Sequence, residues 1–203
     1  TVHSHLKMEG AWHLMRRGDR WRRPAFEARM VLETTASSGA PWQAVGFALG
    51  ELDLVARDAE HEVIGHLGPD PLAGDFDRQE ALRRLTADPA RPIGLALLDQ
   101  RCVAGFGNDY RNELLFLRGV RPETPVGEVD VAAALDLGVR LIRANVHRDE
   151  RTTTGNTRRG ERLWVAHREG RPCRRCGTPI ARGLLGDDAL TERITWFCPS
   201  CQR

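Results

Sequence analysis

A single lysine, Lys7, stands among 203 residues that hold 29 arginines. Any chemistry within this chain that needs a lysine amine must therefore use Lys7. The arginine excess partly reflects GC-rich coding, so it does not by itself signal phosphate binding. Long apolar runs are also missing. No stretch approaches the ~18 residues of a membrane span, and no apolar h-region opens the chain, so neither a transmembrane segment nor a secretory signal is expected. A disulfide framework is equally unexpected. The five cysteines are odd in number, and four of them form two C-x-x-C pairs, which points to a metal site in a reducing compartment. Internal repeats and low-complexity tracts are absent. The expectation is a soluble intracellular protein long enough for one or two domains with real cores.

The net charge of +2 conceals an asymmetry: residues 146–203 carry 12 arginines against 7 acids, and the remainder is slightly acidic. A localised anion partner and a merely solvated charged face both fit that pattern. The opening, "TVHSHLKMEGAW", lacks an initiator Met and has its polar/apolar alternation already under way, so the chain is expected to begin inside a domain. In "AFEARMVLETT", Phe26, Ala28, Met30 and Leu32 fall on one face of a strand. "SSGAP" (37–41) reads as a turn. "WQAVGFALGELDLVAR" gives one or two further strands, with Val45, Phe47 and Leu49 on one face.

Residues 1–65 are thus β-rich, and "GHLGPDPLAGDFD" reads as a linker, placed over 66–74. Helical spacing follows. Asp75 or Asp77 can cap "FDRQEALRRLTAD", and "RPIGLALLDQRC" starts on Pro92 and carries Cys102 as a small buried hydrophobe. "NDYRNELLFLRG" closes on Gly119, and "VDVAAALDLGVRLIRANV" repeats Val131, Leu135, Val139 and Ile142. These helices define a domain over 75–147. Residues 148–162 are expected to be an exposed polar loop, and 163–203 hold the cysteine pairs.

Cys173 and Cys176 in "CRRCG" are separated by 21 residues from Cys198 and Cys201 in "CPSC". Two such turns complete a tetrahedral four-thiolate site, and the stretch between them reads as a β-hairpin with "GDD" at its tip. This is a zinc ribbon with one structural Zn2+ and no open coordination position. A redox dithiol is the weaker rival. The hairpin carries Arg193, either an ordinary exposed strand arginine or a guanidinium aimed at a phosphate.

In "LLDQRCVAGFGNDYRNELLF", Gly105 and Gly107 can adopt positive φ, and Asn108 can cap the helix that starts at Asp109. A helix N-terminus with bare backbone also suits an anion. Plain capping and phosphate binding both remain open for this corner alone.

This corner, followed by a terminal four-cysteine finger ending "CPSCQR", resembles the formamidopyrimidine-DNA glycosylase / endonuclease VIII family, with "HSHLKMEGAW", "HLGPDPL" and "ERITWFCPSCQR" extending the likeness along the chain. The nearest likeness is to the actinobacterial members of the endonuclease VIII branch. The resemblance implies an α+β multidomain fold: a truncated N-terminal β-sandwich, a helix–two-turn–helix domain and a C-terminal zinc ribbon. It implies a monomeric, nucleoid-associated cytoplasmic repair enzyme whose partner is damaged double-stranded DNA, with no membrane. The activity implied is that of a bifunctional glycosylase and abasic-site lyase. It removes oxidised bases, pyrimidines being the expected class, and cleaves the strand by β,δ-elimination.

Residue by residue, the resemblance implies that Gly107 and Asn108 grip phosphates flanking the lesion. Arg193 becomes the catalytic finger arginine, which touches the phosphate and assists elimination. Lys7, Met8 and Glu9 occupy gap-filling positions, and His66 sits where the branch has a DNA-contacting arginine. Met8 is long, flexible and apolar, as a wedge must be, although a strand Met in a core looks the same in sequence. The family's N-terminal Pro-Glu pair and its lysine have no counterpart here, so these residues are expected to bind DNA without supplying the nucleophile. Lys7 is an unpromising substitute, because Glu9 would keep it protonated. A non-catalytic zinc-ribbon nucleic-acid adaptor is the alternative, and a purely structural zinc protein a second.

Overall fold

A computed structural model of the chain describes residues 1–7, 9–34 and 41–203. It divides into two compact units, Thr1–His66 and Leu67–Arg203. Met8 and most of the turn expected over 37–41 lie outside the described residues.

The first unit contains strands β1 (Val2–His5), β2 (Ala11–Arg16), β3 (Ala28–Glu33), β4 (Trp42–Phe47) and β5 (Glu51–Leu54), followed by the short helix α1 (His61–Ile64). β1 pairs with β5, and β2 and β3 flank β4, all antiparallel. The apolar face expected on β4 is realised: Val45 and Phe47 are fully buried and Leu49 nearly so. Trp21 meets Phe47 edge-on with ring centroids 5.7 Å apart, and its indole N–H donates to Gln43 at 2.9 Å. The face expected on β3 is only partly realised. The register shifts between Ala28 and Met30, so the strict alternation breaks at that bulge, and Phe26 precedes the strand with its ring exposed.

The second unit contains α2 (Arg78–Leu85), α3 (Ile93–Leu98), α4 (Asn108–Arg118), α5 (Val131–Asn145), and the hairpin β6 (Ala181–Leu185) with β7 (Arg193–Phe197). Asp77 caps α2 by accepting from the Glu80 amide at 2.9 Å, and Asp130 caps α5 through Ala133 at 3.0 Å. Gly119 closes α4 in the left-handed region, φ 73°. Val131, Leu135, Val139 and Ile142 of α5 are all buried, as their spacing requires. Leu97, Phe106, Leu114 and Leu115 complete this helical core. Gly138 allows a close approach in it, since a Cβ there would lie 2.4 Å from the Phe106 ring. Cys102 is buried but lies in the turn after α3, because that helix ends at Leu98.

Helix α4 serves a second core as well. Phe116 joins Val165, Ile180, Trp196 and two of the paired cysteines, and its ring stacks on Trp164 with centroids 5.6 Å apart. The segment after α5 is less open than expected: Thr152 is buried, and its amide donates to the Asn145 side chain at 2.7 Å. Among the described residues, no helix is long and apolar enough to cross a membrane.

Candidate nucleic-acid interface and metal centre

The glycine corner folds around Gln100. Its side-chain oxygen accepts from the Gly105 amide at 2.8 Å, and its nitrogen donates to the Phe106 carbonyl at 2.7 Å. Gly105 has φ 84°, as the tight turn requires. Gly107 does not: its φ of −93° is open to any residue. A Cβ at Gly107 would nevertheless meet nothing within 4 Å, so the backbone there faces open space.

Asn108 also differs from the expectation of a cap. Gly107 holds the cap position without a side-chain bond, and Asn108 is the first helical residue. Its amide is turned toward the hairpin. Nδ2 donates to the Ile194 carbonyl at 3.0 Å, and Oδ1 accepts from Arg111 Nη2 at 2.5 Å. One of the two amide hydrogens is therefore committed within the protein and one is left for a partner. Ile194 directly follows Arg193, so Asn108 binds β7 one residue from the finger arginine. The exposed Arg193 side chain donates from Nη1 to the Glu192 carbonyl at 3.1 Å and the Thr191 carbonyl at 3.4 Å.

Sequence reasoning missed the polar run that follows. Arg111, Asn112 and Glu113 are fully buried. Asn112 accepts from the Trp196 amide at 3.2 Å and donates to the Asn108 carbonyl at 2.8 Å. Glu113 accepts from the amides of Trp164, Val165 and Ala166 at 2.7, 2.8 and 2.8 Å, and from the Thr153 hydroxyl. Burial pushes its carboxyl pKa up, and these four donors pull against that. Arg111 spends Nη2 on Asn108 Oδ1 and on the Ile194 carbonyl, 3.0 Å away. Its Nε and Nη1 have no partner among the described residues. Burial, with Arg193 nearby, lowers its pKa to about 10, so it stays charged at neutral pH. The available signal was three polar residues on a helix whose next residues, "LLFL", leave no solvent face to receive them.

Beside the first turn of α4 lies a cleft of about 390 Å³, lined by Arg151, Arg162, Arg171, Asp109 and His167 among others. Asp109 binds His167 Nε2 at 2.9 Å and Arg151 at 3.2 Å, and His167 packs on Trp196.

The other expected contacts lie in the first unit. Lys7 is exposed, with Nζ 2.9 Å from Glu51 Oε1, and this pairing holds the Glu51 carboxyl below its usual range. Glu51, rather than Glu9, is therefore the carboxylate paired with Lys7. Glu9 is exposed, and its carbonyl accepts from Arg23. His66 is exposed at the end of this unit.

The sulfurs of Cys173, Cys176, Cys198 and Cys201 all lie within 4.8 Å of one another. Separations of 3.9 Å (Cys173–Cys201) and 3.4 Å (Cys176–Cys198) are close to the ~3.8 Å edge of a tetrahedron with metal–sulfur bonds of ~2.3 Å. Without a cation the four would not all ionise, since burial and the neighbouring thiols push Cys201 up to about 12. The cluster can hold one metal ion and staple the base of the hairpin.

Comparison with known proteins gives a consistent picture. A model of the formamidopyrimidine-DNA glycosylase H2TH domain matches residues 67–158. The whole chain is 48% identical to a probable endonuclease 8 2 of Streptomyces coelicolor, covering 72% of it. It is 43% identical to the DNA-(apurinic or apyrimidinic site) lyase Nei2 of Mycolicibacterium smegmatis, covering 75%. The fold matches that of the Lactococcus lactis Fpg crystallised with abasic-site DNA, with TM-score 0.76 and 23% identity over the whole chain and 74% of that protein.

Proposed function

The chain belongs to the formamidopyrimidine-DNA glycosylase / endonuclease VIII family, and from that premise we propose that it is the DNA-gripping part of a bifunctional glycosylase and abasic-site lyase of base excision repair. The substrate class proposed is oxidised bases, pyrimidines foremost, in duplex DNA, with β,δ-elimination at the resulting abasic site. The observation that carries the reading is the meeting of Asn108 and the finger strand at one carbonyl, that of Ile194. A phosphate lying against the first turn of α4 would find the helix N-terminus, the second amide hydrogen of Asn108 and the guanidinium of Arg193 on one side of the unit. Zn2+ is the ion proposed for the four thiolates, since a closed four-sulfur tetrahedron suits it and leaves no position for substrate. Zinc therefore holds the finger that carries Arg193 and takes no part in bond cleavage. Lys7, Met8, Glu9 and His66 are proposed to contact the duplex from the first unit, with Met8 filling the gap left by the extruded base. Extrusion costs a few kcal/mol, which phosphate contacts and wedge together must offset.

The amine that attacks the sugar belongs, in the family the chain resembles, to an N-terminal proline that these 203 residues do not include. They are therefore proposed to bind without forming the Schiff base. The test is the affinity of the chain for an abasic-site duplex, with N108A and R193A alongside. Each variant is expected to lose about 1–3 kcal/mol, or roughly 5- to 150-fold, as for other charge-assisted phosphate contacts, and R193A also to lower the salt slope by about one. Parental affinity in both variants removes the grip. Borohydride trapping by these residues would overturn the assignment of the amine and turn attention to Lys7.

A further inference from the structure

Arg111 is a fully buried guanidinium to which no carboxylate is paired among the described residues. Two of its three nitrogens have no hydrogen-bond partner there, and its strongest charged neighbour is another cation, Arg193. Such an arrangement destabilises the folded chain, since buried charge is ordinarily paired and buried donors are ordinarily bonded. An unbranched apolar side chain such as methionine would fit the helical pattern of α4 without that penalty. The group's one satisfied nitrogen shows what it does: Nη2 holds the side-chain oxygen of Asn108 and the carbonyl of Ile194 together, the same carbonyl that Asn108 Nδ2 binds. An asparagine amide can be placed either way round. With Arg111 donating to Oδ1, only one orientation is satisfied, the one that keeps the NH2 group at the finger edge.

We infer that Arg111 is a positioning residue for phosphate capture. It fixes the Asn108 amide with its nitrogen toward the finger, and it places a second positive charge behind Arg193 so that a backbone phosphodiester relieves a repulsion built into the empty protein. This deepens the proposed function and rests on it. Arg111 itself does not touch the phosphate. It acts through Asn108, and through a field that water screens poorly at a buried site.

The experiment compares parent, R111M, R111K, N108A and the double variant R111M/N108A, reading zinc content, thermal melting and affinity for an abasic-site duplex across a salt series. R111M is expected to melt at or above the parent temperature, because an uncompensated charge has gone, and yet to bind about tenfold more weakly. R111K keeps the charge without the planar fork, and is expected to recover part of that loss. In the N108A background, R111M should cost at most about twofold, since its route to the phosphate has already been cut. Parental affinity for R111M overturns the inference, as does a full tenfold further loss in the double variant. R111M melting well below the parent overturns it too, because the guanidinium would then be a structural tie. If N108A and R193A bind like the parent, the underlying grip has failed. If they weaken while R111M does not, only the role of Arg111 has failed.

Discussion

Replacing Glu113 with glutamine changes one oxygen of a fully buried carboxylate into an NH2 group. The carboxylate now receives four hydrogens, three from consecutive backbone amides of Trp164, Val165 and Ala166 and one from the Thr153 hydroxyl. In the least costly arrangement the new NH2 faces Trp164 and Thr153, because the hydroxyl can rotate and accept. The Trp164 amide is then left unsatisfied, at about 1–3 kcal/mol. The two bonds retained at the remaining oxygen lose their charge assistance, worth about 1 kcal/mol each. Against this, a neutral amide is easier to bury than a carboxylate, which the upward push on the Glu113 pKa reflects. The balance is a loss of about 2–4 kcal/mol. For a unit of this size that corresponds to a melting-temperature drop on the order of 6–14 °C. Calorimetry of the zinc-loaded chain should show the drop in the transition of the second unit and leave that of the first unmoved. E113Q melting within about 2 °C of the parent would show that the carboxylate is no latch between α4 and the segment leading to the finger.

Two further outcomes follow from the same structure. Stripping the metal with a chelator should release one ion per chain and loosen the hairpin that supplies the Ile194 carbonyl to Asn108. Abasic-duplex binding should then fall to the level of a nonspecific polycation, and retention of full affinity by a metal-free chain would count against the finger's role. Acid should weaken the second unit through Asp99, whose carboxyl is held well below its usual range by Arg101 first and by Arg91, against an opposing effect of burial. Because the folded pKa is depressed, this stabilisation is present above the unfolded value of 3.8 and is lost as pH falls below it toward the folded one. Melts at pH 5 and pH 3 should therefore differ more for the parent than for D99N, and equal differences would remove Asp99 from the account.

The parts that could be read in the sequence were those governed by short-range rules. The four-cysteine spacing gave the ribbon's staple, Gly119 the end of α4, and the repeat of Val131, Leu135, Val139 and Ile142 the buried face of α5. Reading failed where tertiary contacts reassign a residue. Asn108 has the chemistry of a cap, but a carbonyl 86 residues away competes for its amide and wins. Gly107 looked conformationally required, yet its backbone is ordinary and only the space beside it is unusual. The bulge in β3 put an apparently regular alternation out of phase, and Phe26 lies before the strand with its ring exposed. The run Arg111–Asn112–Glu113 left only the faint signal of polar residues ahead of an apolar "LLFL", because the partners each residue satisfies lie in the finger or the segment before it, and local pattern does not name those.

In the proposed grip, the α4 corner and the finger strand hold the phosphates on either side of a lesion from a single surface. Phosphate-ethylation interference on an abasic-site duplex measures this directly. Ethylation of the phosphates immediately flanking the abasic position should abolish binding by the parent chain, and that interference should fade selectively in N108A and R193A. Interference spread evenly along the duplex, or unchanged in both variants, would contradict that grip.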